Sequence, residues 1–299
     1  MTESTRFGFV AVLGAPNAGK STLVNRVVGA KVSIVSPKVQ TTRTRVLGIA
    51  IAGSSQLVFV DTPGIFAPRK RLERAMVDAA WRGARDADAV LLLVDAGRGL
   101  DADTRRIVDG LRAEGRRAIL VLNKVDAVHR TVLLGLAAEL SAEGIFDEVF
   151  MISALSGDGV SDLMAHLEAR MPEGPWHFPE DQLSDMPLRL LAAEITREKL
   201  FLQTHDEVPY SVTVETEAWE QFRDGSVRIE QTVYVQRDSQ KGIVLGKGGQ
   251  RIRAVGESAR RDLEAMLGYK VHLFLHVKQR EKWTDDPMVY RLWGLEFDA

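Results

Sequence analysis

The strongest constraint on the fold is a glycine-rich loop that lies between an apolar run and a helix-forming run. The loop reads Gly14-Ala15-Pro16-Asn17-Ala18-Gly19-Lys20-Ser21. Residues 9–13 before it have the branched aliphatic content of a buried strand, and residues 22–28 after it have helical spacing. Such a loop turns successive backbone N–H groups inward at a helix N-terminus, where they bind phosphate. The sequence therefore predicts a phosphate site, with Lys20 on the β- and γ-phosphates and Ser21 on Mg²⁺.

The rest of the first half alternates apolar runs with amphipathic runs. The strand-like runs are residues 46–52, 57–60, 89–95, 118–122 and 148–152, and the helix-like runs are residues 72–81, 103–113, 132–141 and 160–170. Continuous apolar strands that alternate with helices predict an α/β fold with a mostly parallel sheet covered on both faces. Such sheets bind ligands beyond the carboxyl ends of their strands. Each polar motif of this half follows directly after a strand-like run.

Composition limits the classes of function. The chain has 299 residues and a formal net charge of -2, so it is long enough for two domains and is not uniformly basic. Any nucleic-acid surface must therefore be local. The absence of cysteine excludes disulfides and thiolate metal sites. The N-terminus lacks the apolar segment of a signal peptide, and no apolar run is long enough to span a membrane, so we expect a cytoplasmic protein.

A second motif, Asp61-Thr62-Pro63-Gly64, follows the strand-like run 57–60. Asp61 is placed to hold Mg²⁺ through a water molecule, and the Gly64 N–H is placed to sense a γ-phosphate. The alternative is a plain turn, because Asp, Pro and Gly are favoured turn residues. The position of the motif after both the phosphate loop and a strand favours the magnesium interpretation.

A third motif, Asn123-Lys124-Val125-Asp126, predicts recognition of the base. The Asp126 carboxylate can accept hydrogen bonds from guanine N1–H and from its exocyclic amine, which adenine does not present at those positions. Asn123 and the Lys124 stem would brace the loop, and the Ser153-Ala154 backbone would donate to the guanine O6. The predicted nucleotide-binding residues are Gly14, Ala15, Pro16, Asn17, Ala18, Gly19, Lys20, Ser21, Thr22, Asp61, Thr62, Pro63, Gly64, Asn123, Lys124, Asp126, Ser153, Ala154 and Leu155.

A Pro- and Gly-rich stretch at residues 171–179 ends the α/β pattern and predicts a domain boundary. A helix at 187–201, a hairpin of strands 210–216 and 227–234, a Gly246-Lys247-Gly248-Gly249 turn, a helix to residue 267 and a strand at 270–277 follow. The order α-β-β-α-α-β with this turn between two helices is the bacterial, type II arrangement of a KH domain. The predicted division is a phosphate-loop domain at 1–172, a linker at 173–186, a smaller α+β KH domain at 187–282 and a tail at 283–299.

The glycine turn of the second half predicts contact with single-stranded RNA. Small residues at both ends of the turn permit close approach of a nucleic-acid backbone, and Lys247 lies between them. From Arg237 to Lys282 there are 11 Lys and Arg residues against 5 Asp and Glu residues. The alternatives are a structural helix–helix turn and a solvated charged face. The predicted RNA-binding residues are Gly246, Lys247, Gly248, Gly249, Arg251 and Arg253.

These motifs, with Gln40-Thr41-Thr42-Arg43 between the first two, resemble the Era family of bacterial GTPases over residues 8–282. The resemblance implies hydrolysis of GTP to GDP, and binding to the 30S ribosomal subunit and to 16S rRNA near its 3′ end, in support of subunit maturation. It also implies a monomer, peripheral association with the cell membrane in some members, and a switch threonine on Mg²⁺. That threonine is Thr42 or the adjacent Thr41. The metal-binding residues expected from the motifs and the resemblance are Ser21, Thr42 and Asp61.

One position departs from the pattern of related GTPases. Ras-like enzymes carry a glutamine just after the second motif to orient the attacking water, and this chain has Ile65 there. Hydrolysis must therefore be slow or use another device. Asn17 resembles an asparagine that helps related GTPases hold K⁺ beside the phosphates, although it could simply cap the loop. The residues expected to act in catalysis are Asn17, Lys20, Thr42 and Gly64.

Two rival functions remain open. In the first, the nucleotide domain only senses nucleotide and hydrolysis is incidental to RNA binding. In the second, the chain is a GTPase partner in tRNA modification, which the lack of a modification domain and of a catalytic cysteine disfavours. The expected ligands are GTP or GDP, Mg²⁺ and, through Asn17, K⁺.

Overall fold

The computed structural model describes residues 4–38, 41–205 and 208–299. Gln40, from the predicted switch motif, lies outside the described residues. The chain divides into two compact units. The first comprises Met1–Ser33, Thr42–Asp185 and Tyr290–Ala299, and the second comprises Ile34–Thr41 and Met186–Val289.

The first unit is built on a six-stranded sheet in the order β2-β3-β1-β4-β5-β6. Its strands are β1 (Arg6–Gly14), β2 (Val46–Ala52), β3 (Ser55–Asp61), β4 (Ala89–Asp95), β5 (Ala118–Asn123) and β6 (Phe146–Ile152). Only β2, which forms a hairpin with β3, is antiparallel to its neighbour; the other strand pairs are parallel. The prediction of an α/β fold with a mostly parallel sheet is confirmed.

Helices cover both faces of this sheet. They are α1 (Lys20–Val28), α2 (Arg71–Arg85), α3 (Ala102–Ala113), α4 (Arg130–Ser141) and α5 (Val160–Arg170). Alternate residues of β1 point to opposite faces. Val10 and Val12 therefore pack with residues of α1 and α5, whereas Ala11 and Leu13 pack with residues of α2, α3 and α4.

The second unit has a three-stranded sheet in the order β7-β8-β9, with β7 antiparallel and β9 parallel to β8. Its elements are α6 (Leu188–Gln203), β7 (Val212–Gln221), β8 (Val227–Val235), α7 (Asp238–Leu245), α8 (Gln250–Leu267) and β9 (Val271–Gln279). Helix α9 (Pro287–Leu292) follows, and the boundary between the two units falls within it. Ile195 of α6 and Leu263 of α8 pack with Ile229 of β8 in one buried cluster. This order confirms the predicted KH-type domain.

Helix α6 also binds described residues of the segment Ile34–Thr41, which belongs to the second unit although it comes from the first half of the sequence. The Val35 N–H donates to Glu198 Oε1 over 2.9 Å, and the Arg197 guanidinium donates to the Thr41 carbonyl. The sequence around this segment is polar and has no clear periodicity, so nothing in it predicted this docking. Among all described residues, no helix is long and apolar enough to cross a membrane.

Candidate functional site

The predicted nucleotide motifs meet at one edge of the six-stranded sheet. Gly14 is the last residue of β1, Asp61 the last of β3 and Asn123 the last of β5, while Ser153 directly follows β6. Because these strands run parallel, their carboxyl ends lie at the same edge. The topology therefore brings together motifs that are up to 139 residues apart, from Gly14 to Ser153.

Lys20 is buried beneath the phosphate loop. Its ammonium donates to the carbonyl oxygens of Gly14 and Ala15, over 3.1 and 3.0 Å. Burial lowers the pKa of Lys20 to about 8, and the negative charge of Asp61 opposes that shift. The chain thus holds a desolvated amino group among inward-facing loop atoms, where a phosphate would find few competing water molecules.

Two glycines of the site are required by close approaches. Gly19 has φ 99°, and a Cβ atom there would lie 2.2 Å from the Nδ2 of Asn123. A Cβ atom on Gly64 would lie 3.0 Å from Pro16 Cα. The phosphate loop therefore has the base loop on one side and the second motif on the other, with no room for a side chain at either contact.

An oxygen cluster lies beside the loop. The Ser21 hydroxyl donates to Asp61 Oδ2 over 2.7 Å and lies 2.9 Å from the Thr42 hydroxyl. Ser33, which the sequence did not suggest, donates to the same carboxylate oxygen over 2.6 Å. The other oxygen, Asp61 Oδ1, is buried and has no hydrogen-bond partner in the described part of the chain. Hydroxyl and carboxylate oxygens are ligands that Mg²⁺ accepts, so the donor set fits that ion.

Burial also raises the pKa of Asp61, while hydrogen bonds from Ser33 and Ser21 act in the opposite direction. A buried carboxylate with a free oxygen is unfavourable unless a cation compensates it.

Thr41 is not part of the oxygen cluster that contains Thr42, since the Thr41 hydroxyl donates to the Lys38 carbonyl over 2.7 Å. Of the two threonines that the sequence left open, Thr42 is the one beside Ser21.

Asn123 joins the phosphate loop to the base loop. It is 2% exposed; its Nδ2 donates to the Ala18 carbonyl over 2.8 Å, and its Oδ1 accepts from the Ala154 N–H over 2.9 Å. Lys124 lies 2.6 Å from Asp95 Oδ2, which the sequence reasoning missed. Asp126 is exposed in the short turn Val125–Ala127, where a base could reach its carboxylate.

The loop that follows β6, with Ser153 and Ala154, is held by hydrogen bonds of its own. The Ser153 N–H donates to the Asp158 carbonyl over 2.9 Å, and the Ala154 N–H is taken by Asn123. A guanine O6 would therefore have to share or exchange the Ala154 hydrogen bond, which the sequence prediction did not anticipate. From α1, Arg26 donates to the Ala154 carbonyl over 3.2 Å and holds this loop in place. Leu155 is 73% exposed at its tip.

Ile65 does not face the site. Its side chain is completely buried and belongs to the same core cluster as Leu13 and Ala80, while its N–H donates to the Gly14 carbonyl over 3.2 Å. The position where Ras-like enzymes carry glutamine is thus part of the hydrophobic core. No side chain from this position can orient a water molecule.

The predicted RNA-binding residues lie in the second unit around a turn between α7 and α8. Lys247 and Gly248 are exposed in this turn. A groove of about 510 Å³ adjoins it and is lined by Gly249, Ile252, Arg253, Gly256, Glu257, Arg260, Leu273 and Leu275. The predicted residue Arg251 does not line this groove, and its guanidinium donates to the Ile243 carbonyl. Of the lining residues, Gly249 and Arg253 were among those predicted to bind RNA, whereas the remaining ones were not predicted: Ile252, Gly256, Glu257, Arg260, Leu273 and Leu275.

The fold and the loops at the sheet edge define a phosphate-loop guanine-nucleotide-binding protein with a KH domain. The family described as 50S ribosome-binding GTPase matches residues 9–124, and the KH domain family matches residues 207–284. The chain is 60% identical to GTPase Era of Rhizobium meliloti over 293 residues, covering 98% of this chain and 94% of the relative. GTPase Era of Mesorhizobium japonicum is 58% identical over 99% of this chain and 96% of its own.

Solved structures of related proteins are similar to this chain over nearly its whole length. A crystal structure of Era in complex with MgGDPNP and nucleotides 1506–1542 of 16S ribosomal RNA is 39% identical, with a TM-score of 0.91 and coverage of 97% of this chain and 99% of that chain. An Aquifex aeolicus Era variant bound to GDP·AlF4⁻ has the same identity, coverage and TM-score. This chain belongs to the Era family of GTPases.

Proposed function

We propose that this chain is a GTP-binding and GTP-hydrolysing switch that binds 16S rRNA and the 30S ribosomal subunit and assists small-subunit biogenesis. The observation that carries the nucleotide half of the proposal is the convergence of Ser21, Thr42 and Asp61 at the sheet edge where Asn123 organises the base loop. Family membership supports the RNA half, because a related Era has been crystallised with a 16S ribosomal RNA fragment.

In the nucleotide-bound protein, Ser21 and Thr42 would hold Mg²⁺ through their hydroxyls and Asp61 through a water molecule. A bound Mg²⁺ would supply positive charge that offsets the negative charge developing on the phosphates during cleavage. Lys20, whose ammonium is already desolvated, would exchange its bonds to loop carbonyls for bonds to phosphate. The Gly64 N–H would contact the γ-phosphate and so report whether GTP or GDP is bound.

Base choice rests on Asp126 and on the loops that surround it. Its exposed carboxylate would accept two hydrogen bonds from guanine, and the Lys124 stem would cover the ring from a position secured by Asp95. Asn123 keeps the base loop and the phosphate loop at a fixed separation through its two hydrogen bonds. A nucleotide with adenine would leave the Asp126 carboxylate without these donors.

The burial of Ile65 favours a second candidate, a nucleotide-sensing RNA-binding protein in which hydrolysis is incidental. With no side chain from that position to orient water, the cleavage rate depends on positioning and on positive charge near the phosphates. Asn17 is the residue that we propose holds K⁺ there. The two candidates differ in whether RNA raises the rate of multiple turnover.

The groove between α8 and β9 fits the bases of single-stranded RNA. Ile252, Leu273 and Leu275 give it apolar walls, and Arg253 and Arg260 add positive charge. The exposed turn with Lys247 would hold the sugar-phosphate backbone. We propose that the segment bound is near the 3′ end of 16S rRNA, as in the related complex.

These partners imply a cytoplasmic site of action, because ribosomal subunits are assembled there. We propose that the protein works as a monomer on the subunit. Peripheral association with the inner face of the cell membrane stays a prediction from the family resemblance.

The test is phosphate release under multiple turnover, with a 16S rRNA 3′-end fragment and with a shuffled RNA of equal length. We expect the matching RNA to bind more tightly in the presence of a GTP analogue and to raise the turnover rate. Equal turnover with either RNA and without RNA would favour the sensing alternative. Absence of GTP binding would overturn both candidates.

The RNA half has its own test in the Lys247→Glu variant. A repulsion in place of a phosphate contact should weaken RNA binding about tenfold and lower the slope of log affinity against log salt by about 1. The matched control is Arg223→Glu, which makes a similar charge change at an exposed residue of the β7–β8 turn. Equal salt slopes for the two variants would indicate that the glycine turn is a structural connector that does not contact RNA.

A further inference from the structure

The loop between β4 and α3 is wrapped tightly around Asp95. One carboxylate oxygen of Asp95 accepts from the Gly97 N–H over 2.9 Å, and the other lies 2.6 Å from Lys124 Nζ. The Asp95 carbonyl accepts from the backbone of Arg98 and Gly99, over 3.0 and 2.9 Å. None of the sequence motifs includes this loop, yet it is anchored directly to the base loop.

The same loop reaches the phosphate loop through one side chain. Arg98 Nη1 donates to the carbonyl oxygen of Pro16 over 3.0 Å. Its other terminal nitrogen lies 2.5 Å from Asp101 Oδ2. The second oxygen of Asp101 caps α3 by accepting from the Thr104 N–H over 2.8 Å. The guanidinium is therefore held between a helix cap and one carbonyl of the phosphate loop.

That carbonyl belongs to the peptide unit between Pro16 and Asn17. A trans peptide is planar, and its C=O and N–H point in opposite directions. Because Arg98 donates to the Pro16 oxygen from the β4–α3 loop, the Asn17 N–H of the same trans peptide points away from that loop. Asn17 has φ 66°, the left-handed conformation that alternates with right-handed residues in backbone nests for anions.

We propose that Arg98 is a positioning residue for GTP hydrolysis, which it serves by fixing the Pro16–Asn17 peptide so that the Asn17 N–H points at the nucleotide β-phosphate. The inference rests on the proposed function of this site and adds a residue outside its motifs. Arg98 itself binds no substrate in this scheme. Asp101 orients the guanidinium, and Asp95 shapes the loop that presents it.

The effect should be larger on cleavage than on binding. Several N–H groups of the loop, Lys20 and the metal ion share the binding of the phosphates, so a rotated peptide removes only a small part of the affinity. The β-phosphate gains negative charge as the bond to the γ-phosphate breaks, so a correctly aimed N–H stabilises the transition state more than the ground state.

The test compares Arg98→Ala and Arg98→Lys with Arg106→Ala in the full-length chain. Arg106 is a matched control because it also forms an exposed i,i+3 ion pair, with Asp103 at 3.1 Å. We measure single-turnover cleavage of bound GTP, GTP affinity, melting temperature and the ³¹P resonance of the β-phosphate in the saturated GDP complex. The unaltered chain is measured alongside the variants.

We expect Arg98→Ala to slow cleavage about tenfold, less than the loss from deleting a transition-state hydrogen-bond donor outright, and to change GTP affinity less than about threefold. Its β-phosphate resonance should move, whereas Arg106→Ala should leave rate and resonance as in the unaltered chain. Arg98→Lys keeps a cationic donor and should recover part of the rate and of the resonance position. Melting temperatures of the two alanine variants should agree.

Equal cleavage rates for Arg98→Ala and Arg106→Ala would overturn the proposal. A slower rate with an unmoved β-phosphate resonance would overturn it as well, because the peptide would then not have turned. If the unaltered chain bound GDP but cleaved no GTP, hydrolysis as the proposed function would fail. The resonance comparison in GDP would still decide whether Arg98 sets the peptide.

Discussion

The nucleotide edge and the RNA groove are built in opposite ways. At the nucleotide edge, Asp61 and Asn123 are 0% and 2% exposed, and each is tied by hydrogen bonds to other loops. At the RNA groove, Arg253 of α8 is a lining residue and Lys247 lies in the adjoining turn, and both are exposed. Buried polar groups must satisfy one another, so the first site is formed before its ligand arrives. The second offers apolar walls and exposed positive charges to a single RNA strand.

This contrast predicts different responses to substitution. A change at a buried contact of the nucleotide edge should disturb several loops at once and cost both stability and binding. A change in the groove should alter RNA affinity without harming the fold. The variants below probe the contrast, beginning with the largest expected effect.

Gly19→Ala tests whether the nucleotide edge tolerates any added atom. The left-handed backbone and the 2.2 Å approach of a Cβ atom to Asn123 Nδ2 should together force the base and phosphate loops apart. We expect GTP affinity to fall at least about 100-fold, measured by titration with a fluorescent GTP analogue.

The control for Gly19 is Gly29→Ala at the other end of α1. Gly29 also has a positive φ, 75°, but an added Cβ would meet no heavy atom within 4 Å in the parts of the chain that the structure describes. This variant should lose only about 1–2 kcal/mol of unfolding free energy from backbone strain and keep its GTP affinity. Similar GTP losses in both variants would mean that backbone strain, not crowding, limits the site.

Asp126→Asn tests the exposed member of the same edge. The variant loses a charge-assisted contact with guanine, worth about 2–3 kcal/mol, which is a 30- to 150-fold loss of GTP affinity. The asparagine amide can donate to the O2 of xanthine, so XTP affinity should rise. Because Asp126 is exposed, we expect no change in melting temperature. Unchanged affinity for GTP in the titration would disprove its role in base choice.

Asn17→Ala tests whether a monovalent cation, bound by Asn17, supplies positive charge beside the phosphates. We expect hydrolysis to be about five- to tenfold faster in potassium than in sodium at equal ionic strength, and Asn17→Ala to remove most of that difference. GTP binding should stay nearly intact. Arg98→Ala, which acts on the backbone, should keep the preference for potassium. Equal rates in both salts for the unaltered chain would leave Asn17 as a loop cap.

Gly256→Ala tests the groove side of the comparison and should have the smallest effect. A Cβ atom on this residue of α8 would lie 3.3 Å from Leu275 Cδ1 and narrow the groove. We expect RNA affinity to fall about threefold, or ~0.7 kcal/mol. Alanine favours the helix over glycine, so unfolding free energy should rise by about 0.5–1 kcal/mol.

Gly135→Ala in α4 provides the control for that pair of opposite effects. An added Cβ there has open space in the described structure, so stability should rise while RNA affinity stays constant. RNA binding by fluorescence anisotropy and thermal melts would be measured on both variants. A fall in RNA affinity for both variants would show that the loss is caused by stiffer helices and not by a narrower groove.

Local patterns were sufficient for most of the fold. The strands that end at Gly14, Asp61 and Asn123 were predicted because short aliphatic runs alternate with amphipathic helices. Strand β7 was predicted to end near residue 216 and extends to Gln221. A register shift between Thr216 and Ala218 explains the difference, since a bulge interrupts the two-residue alternation on which the prediction depends.

The sequence by itself determined the two domain types and their order, and it predicted the nucleotide motifs, because those signals are carried by residues close together in the chain. Only the tertiary structure decided which residues support the motifs. Ser33 meets Asp61 across 28 positions and Arg98 meets Pro16 across 82. The contacts of Val35 and Thr41 with α6 are of the same kind. Contacts between residues so far apart depend on the packing of whole elements, which leaves no periodicity or motif to find beforehand.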